Sequence, residues 1–589
     1  MSLARSNRSA DPRAHSPRGL SARSPGAPSA DPSGVPCSRS REHARVLRAV
    51  PLLLAALVFA TSSPSARGAD AEQQLIERRA ARVKELPAPP QPPKVGVATY
   101  NPIDQFILAR WPEANDETPR PRLCDDATFI RRAYLDVIGV IPTMLETNRF
   151  LASRDKDKRA KLVDELLARD ADYAAHWTVF WEDALASQNV LSQGGILTRG
   201  NYRDWLISSF MRNRPYDVMV AELIDPTMPQ RKGPQSQEVL GDQFEIEFVR
   251  NEDHTATLQT AANVAQVFLG TSMKCASCHD HFENDEWPQE RFLAFAGLFS
   301  SHNLEKIRCE LKTGQTVPAR YPFDLPGVDE PVPDDVAERL HRAALWTTDP
   351  ANPRFAKTIV NRLWKRYLGL GLFEPADDFR LDVPASHPEL LEWLAHDFLT
   401  HGCDLKHTIR LILTSGTYQL RYDPQLADSF RPGEDNPPRY FRSPGLRRLT
   451  AEQLLDSIRL AKQGELPPDR RAFLDARSTA LTRALGRPAS RNEISTSRPD
   501  DVAVVQALEL LNGKEMHELA DASALVDERL LRYPRRMVDQ LYRTVLSRAP
   551  DVPERNAGMA YIETAASPEE ALTDMLWVLV CSPEFQYIH

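Results

Sequence analysis

The chain has 589 residues, 42% of them hydrophobic and 26% charged, the composition of an ordinary globular protein long enough for roughly two to four domains. A formal net charge of -8, with Lys and Arg scattered through the body, offers no basic footprint for a polyanion, so nucleic acid is excluded as an expected partner. With 47 prolines against 25 glycines, fixed turns and long connections between helices are expected.

Residues 1–45 are rich in Ser, Arg, Pro and Ala and hold too few aliphatic side chains to fold, so they read as disordered. The apolar run AVPLLLAALVFA at 49–60 follows Arg45 and Arg48 and precedes small residues, which is the order of regions in a secretory signal peptide. It falls short of the roughly 20 residues a bilayer span needs, so no permanent membrane span is expected. Cleavage is expected after Ala60 or after Ala69, and the long stretch before the apolar run points to a translation start near Val46. Residues 1–69 are therefore read as leader, and the mature protein as exported to the periplasm or cell envelope. Of the seven cysteines, Cys37 would leave with it. Cys124, Cys309, Cys403 and Cys581 are too widely spaced for a compact disulfide scaffold and read as small buried side chains.

Residues 70–98 form a charged, helix-like stretch to 86 and then a stiff extended linker, PAPPQPP. The folded body begins near Asn101. Apolar residues recur at helical spacing in 102–110, 126–139, 156–168 and 173–186, and 202–223 reads as two helices broken at Pro215. Trp177 and Trp181, four apart, share one face, which suits a helical core better than an aromatic wall for a cofactor. Residues 225–250 have no helical stripe and read as a long surface excursion. Residues 257–270 are an apolar helix or strand, and 287–299, with Phe292, Phe295 and Phe299, a helix. The proline-rich stretch 321–333 is the expected domain boundary. Amphipathic helices are expected at 334–347, 355–369, 387–400, 406–418 and 450–462, loops at 463–500, and helices again at 502–511, 529–546 and 568–582. The fold class is mainly α, with few strands: a first multi-helix domain at 99–320 and a second at 334–589, joined by the proline-rich linker.

Between two of these elements lies the sharpest chemical signal, Cys275-Ala-Ser-Cys278-His279. Two cysteines three apart with a histidine directly after the second is the spacing of covalent haem attachment. Each thiol can add to a porphyrin vinyl group, and His279 then reaches the iron from the proximal side. For the opposite side, His254 and then Met273 are the candidate distal ligands. The same residues, with His281, also suit a tetrahedral zinc or iron site, and the two cysteines alone suit a disulfide. Export and haem attachment support each other, because c-type haem is attached outside the bacterial plasma membrane. Asp377 with Asp378, and His387 near Glu389, are the types used in acid–base work, but their positions before and at helix starts are those of caps.

The order of motifs resembles the planctomycete cytochrome C domain (PSCyt) followed by the planctomycete-specific domain (PSD), over most of residues 99–589. In the first part the resemblance is carried by PIDQFI from Pro102, Arg131 and Arg132 with Leu135 and Asp136, the Gly139 turn, YRDW from Tyr202, Pro215-Tyr216-Asp217, and VFLG from Val267 running into the cysteine motif and His281. In the second it is carried by Asn352-Pro353, VNRLW from Val360, Asp377-Asp378-Phe379, SHPELL from Ser386, Thr417-Tyr418 and SPEF from Ser582. The chain departs from the family after His281, where FENDEW at 282–287 replaces a basic residue and Asp-Pro. The resemblance implies an exported c-type cytochrome that transfers electrons with a redox partner protein in the envelope, on a substrate with no readable signature. Two other readings stay open: a non-haem metal-dependent enzyme acting on extracellular polymers, and a helical scaffold of an envelope assembly.

Overall fold

The computed structural model describes residues 64–112, 120–187, 190–192, 195–197, 201–225, 227–228, 254–308, 311–325, 331–380, 383–431, 436–475, 478–491, 493–498, 504–522 and 533–589. Residues 1–63 of the leader, the surface excursion and Cys309 lie outside these residues, apart from Asp225, Thr227 and Met228 at the start of the excursion, and residues 64–69, read as the end of the leader, are the first residues of a helix. The chain is mainly α. The first helices are α1 (Pro64–Val83), α2 (Pro102–Leu108), α3 (Asp126–Val137), α4 (Met144–Ala152), α5 (Lys158–Leu167), α6 (Asp170–Ala184), α7 (Tyr202–Met211), α8 (Tyr216–Ile224), α9 (His254–Leu269) and α10 (Gln289–Ala296). The second half adds α11 (Val336–Thr347), α12 (Phe355–Leu368), α13 (Pro388–Thr400), α14 (Leu405–Leu413), α15 (Ala451–Gln463), α16 (Ala480–Ala484), α17 (Val504–Asn512), α18 (Lys514–Ala520), α19 (Pro534–Val545), α20 (Val552–Thr564), α21 (Pro568–Cys581) and α22 (Pro583–Gln586). Among the described residues the strands pair as three antiparallel two-stranded sheets, the longest joining Leu304–Arg308 to Leu311–Val317. Among the described residues no helix is long and apolar enough to cross a membrane.

Local chemistry sets most of these boundaries. In α14, Leu405, Ile409, Ile412 and Leu413 fall on one face and are buried, and the Asp404 carboxylate accepts from the His407 N–H at its start. Capping boxes start α4 (Thr143 with Glu146) and α15 (Thr450 with Gln453). Pro215 separates α7 from α8, as its missing N–H requires. The stretch at 257–270, legible only as helix or strand, is the helix α9. The tryptophans of α6 are core: Trp177 and Trp181 are about 1–2% exposed, and Trp181 packs on Tyr216 of α8.

Residues 62–589 form one compact unit. Around the proline-rich stretch, Tyr321 and Phe323 pack on the Trp346 ring of α11, and the Trp346 indole N–H donates to the Phe323 carbonyl at 3.2 Å. Helix α1 straps both halves: Arg79 pairs with Asp217 at 2.5 Å and Arg82 with Asp349 at 3.2 Å. The motif residues of the two halves are one another's partners. Asp104 accepts from the backbone N–H groups of Gly416 and Thr417, both at 2.9 Å, and Asp136 accepts from the Tyr418 hydroxyl at 2.7 Å. Arg132 donates to the carbonyls of Leu420 and Tyr418.

Candidate functional site

Helix α9 delivers the cysteine motif. It ends at Gly270, whose φ of +58 belongs to the left-handed region, and a Cβ there would come 2.6 Å from the Phe379 ring and 2.7 Å from the Thr358 hydroxyl. The Gly270 carbonyl accepts from the Phe379 N–H at 2.7 Å, so the turn is pinned by the second half of the chain. A tight 3-10 turn, Lys274–Ser277, follows. The residues in and beside it split by direction: Met273 and Ala276 are buried in the core, whereas Cys275, Cys278 and His279 are exposed. Both cysteines are free thiols.

The His279 ring is oriented by its neighbours. Its Nδ1 donates to the Asp280 carbonyl at 2.7 Å, which leaves Nε2 as the ring nitrogen with an open lone pair. The Phe282 ring lies 4.1 Å from it and is itself 80% exposed. Asp280 is also structural, its carboxylate accepting from the Gln289 N–H at 2.8 Å at the start of α10. The Gln289 side chain then donates to the carbonyls of Ser277 and Ile307, tying the turn to the Leu304–Arg308 strand.

Residues of the second half hold the loop that follows. Arg354, just before α12, donates to the Thr271 hydroxyl at 2.7 Å and pairs with Glu286 at 2.5 Å, while Arg380 pairs with Glu283 at 2.9 Å. The FENDEW segment at 282–287 is thus the loop's anchorage, with Trp287 fully buried. These features fit a covalently attached haem: two exposed thiols, one in the turn and one at its end, beside an exposed imidazole whose Nδ1 is engaged by the Asp280 carbonyl.

The other candidate residues are placed as follows. Met273, about 1% exposed, does not share the face of the thiols. His254 is the first residue of α9, and its side chain lies outside the described residues. His281 does not converge with Cys275, Cys278 and His279 on one point; its Nδ1 accepts from the Glu283 N–H at 3.2 Å. Asp377 pairs with Arg362, and Asp378 is raised above the ordinary carboxylate range by burial. His387 is buried beside Phe441 and pushed down to about 3 by burial and then by Arg110 and Arg439, so it is neutral. Glu389 pairs with Arg110 at 3.0 Å instead. No acid–base pair forms at these positions.

Sequence reading missed one group of metal-ligating character. Asp397, His401 and His407, from the end of α13 and from α14, hold ligand atoms within 4.8 Å of one another. The only local signal was Asp397 and His401 at i and i+4; His407 joins them because α14 packs on α13.

Residues 102–303 match the family model PSCyt2, described as a protein of unknown function (DUF1549), and residues 339–472 match PSD1, described as a protein of unknown function (DUF1553). Their order is the one the motifs implied. No curated protein and no solved structure matches the chain.

Proposed function

We propose that this chain, which carries a PSCyt2 domain followed by a PSD1 domain, is an exported c-type haem protein that passes electrons to or from a partner protein in the cell envelope. The observation that carries the reading is the pairing of two exposed thiols, Cys275 and Cys278, with an adjacent imidazole whose Nδ1 is held by the Asp280 carbonyl. When bound, haem supplies reversible one-electron exchange at iron. Each thiol would add across one vinyl group, forming a C–S bond while the thiol proton moves to the terminal vinyl carbon, so no oxidant is needed.

The rest is done by this chain's own groups. The hydrogen bond at Nδ1 leaves Nε2 of His279 as the donor atom. Phe282 offers an apolar face beside it. Contacts of Arg354, Arg380 and Gln289 anchor the turn and the loop after it, which would hold His279 in place beside a bound haem. His254 is the proposed distal ligand, ahead of the buried Met273.

The test is spectroscopic. Protein produced in a host with a working cytochrome c maturation system should show a Soret band that survives acid–acetone extraction, and a colourless protein from that host ends the proposal. Zinc or iron found in such a colourless protein would favour the non-haem metal enzyme.

A further inference from the structure

A second site lies away from the cysteine motif, in a cavity of about 330 Å³ walled by α6, α12 and α15 and by residues 495–498. That volume suits a small molecule. Both family segments contribute: α6 belongs to the first, and α12 and α15 to the second. The wall is rich in charge, with seven basic side chains against four carboxylates.

Most of these charges neutralise one another. Arg498 pairs with Asp183 at 2.7 Å and Glu452 at 2.6 Å, Arg362 pairs with Asp377, and Arg447 with Asp136 at 2.5 Å. Arg366 does not share in this. Among the described residues it has no carboxylate within ion-pair distance. Asp136, whose field it feels, is already bound by Arg447 and by the Tyr418 hydroxyl. Its partners are neutral: it donates to Nε2 of His176 at 2.7 Å, and its guanidinium lies 4.8 Å from the Trp177 ring and 5.7 Å from that of Phe180. His176 stays uncharged because burial, and then Arg366 and Arg471, hold it well below the usual imidazole range.

Donors also outnumber acceptors. The Trp177 indole N–H and the Nε–H groups of Arg362, Arg447 and Arg471, all on residues of the cavity wall, are buried without an acceptor. Trp177 is about 1% exposed. A half-buried guanidinium with no carboxylate in ion-pair distance among the described residues, beside unmatched N–H groups, is costly to maintain in a folded chain. An oxyanion supplies both the missing charge and the missing acceptors.

We propose that this cavity binds a small organic oxyanion, its carboxylate, phosphate or sulfate group against Arg366 and its apolar body along Trp177, Phe180 and Phe473. The site explains why the two segments occur as one packed unit: neither builds the cavity alone. It does not depend on the haem reading, and its readout needs no haem.

The experiment is calorimetric titration of the full mature chain with benzoate, phenyl phosphate and phenyl sulfate, with benzyl alcohol and benzylamine as neutral and cationic counterparts. At least one anion should bind saturably and raise the melting temperature, while both counterparts fail. Arg366→Gln should weaken that anion by about tenfold or more, since it removes a charge-assisted contact. Trp177→Phe keeps the core volume and should weaken it less while abolishing quenching of tryptophan fluorescence on binding. Should Arg366→Gln fail to fold, Arg366→Lys and Trp177→Phe carry the test. Failure of all three anions at millimolar concentration, equal binding of benzyl alcohol, or unchanged affinity in folded Arg366 and Trp177 variants would each overturn the proposal.

Discussion

The Arg131 guanidinium donates to the Phe585 carbonyl at 3.0 Å, across 454 residues of sequence, and also lies 5.1 Å from the Phe585 ring. A second donation, to the Val545 carbonyl at 2.8 Å, ends α19. Arg131 belongs to a motif of the first segment and Phe585 to the SPEF motif near residue 582. The guanidinium is fully enclosed, and burial lowers it to about 10 despite the nearby Glu584. Its role is to satisfy main-chain carbonyls that no helix or strand serves.

Arg131→Met should therefore leave two buried carbonyls without donors and cost about 2–4 kcal/mol of stability. Urea unfolding measures it. A loss below about 0.5 kcal/mol would show that water replaces the guanidinium.

Gly139 has a φ of +76, and a Cβ built there comes 2.3 Å from Nδ1 of His176. Gly139→Ala combines left-handed strain with overpacking and should cost about 2–4 kcal/mol. Adding His176→Ala should recover part of that loss, because the clashing ring is gone. Strict additivity in the double mutant would contradict this geometry.

Asp456 is pushed up to about 6 by burial, which outweighs Arg471 and the Ala472 N–H that it accepts at 2.8 Å. A raised carboxylate contributes stability that is fully present below its unfolded value of 3.8 and is lost as pH rises through about 6. Asp456→Asn lacks this titration. Its stability relative to the parent should improve between those two pH values and level off above them, as read from denaturant midpoints. A flat difference over that window would refute the assignment.

His279→Ala, on the haem proposal, should retain covalently attached haem through Cys275 and Cys278, with an altered spin state and lost electron transfer. Replacing both cysteines with Ala should abolish covalent attachment. Pyridine haemochrome spectra distinguish the two outcomes, and loss of covalent haem in His279→Ala would assign that residue to attachment instead.

Export predicts that protein from the envelope fraction starts at residue 61 or 70. Either start keeps Glu72, Arg79 and Arg82, which pair with Arg214, Asp217 and Asp349. Intact Met1 found there by mass spectrometry would count against a cleaved leader.

What the sequence determined by itself was whatever depends on neighbours within a turn or two. The amphipathic face of α14, its Asp404 cap, the break at Pro215 and the Cys275, Cys278 and His279 spacing all needed only local residues. Residues 257–270 stayed ambiguous because an apolar run suits a buried helix or strand alike. The Leu304–Arg308 hairpin went unread, since its outer strand is almost wholly exposed and carries no alternating stripe. Tertiary structure alone decided that Met273 turns into the core while the thiols two and five residues on face out. It also decided that Arg366 meets His176 rather than a carboxylate among the described residues, and that Arg131 finds Phe585. The reason is physical: periodicity and caps report backbone preferences over a few residues, whereas burial, charge pairing and backbone satisfaction depend on which distant segments the packed core brings together.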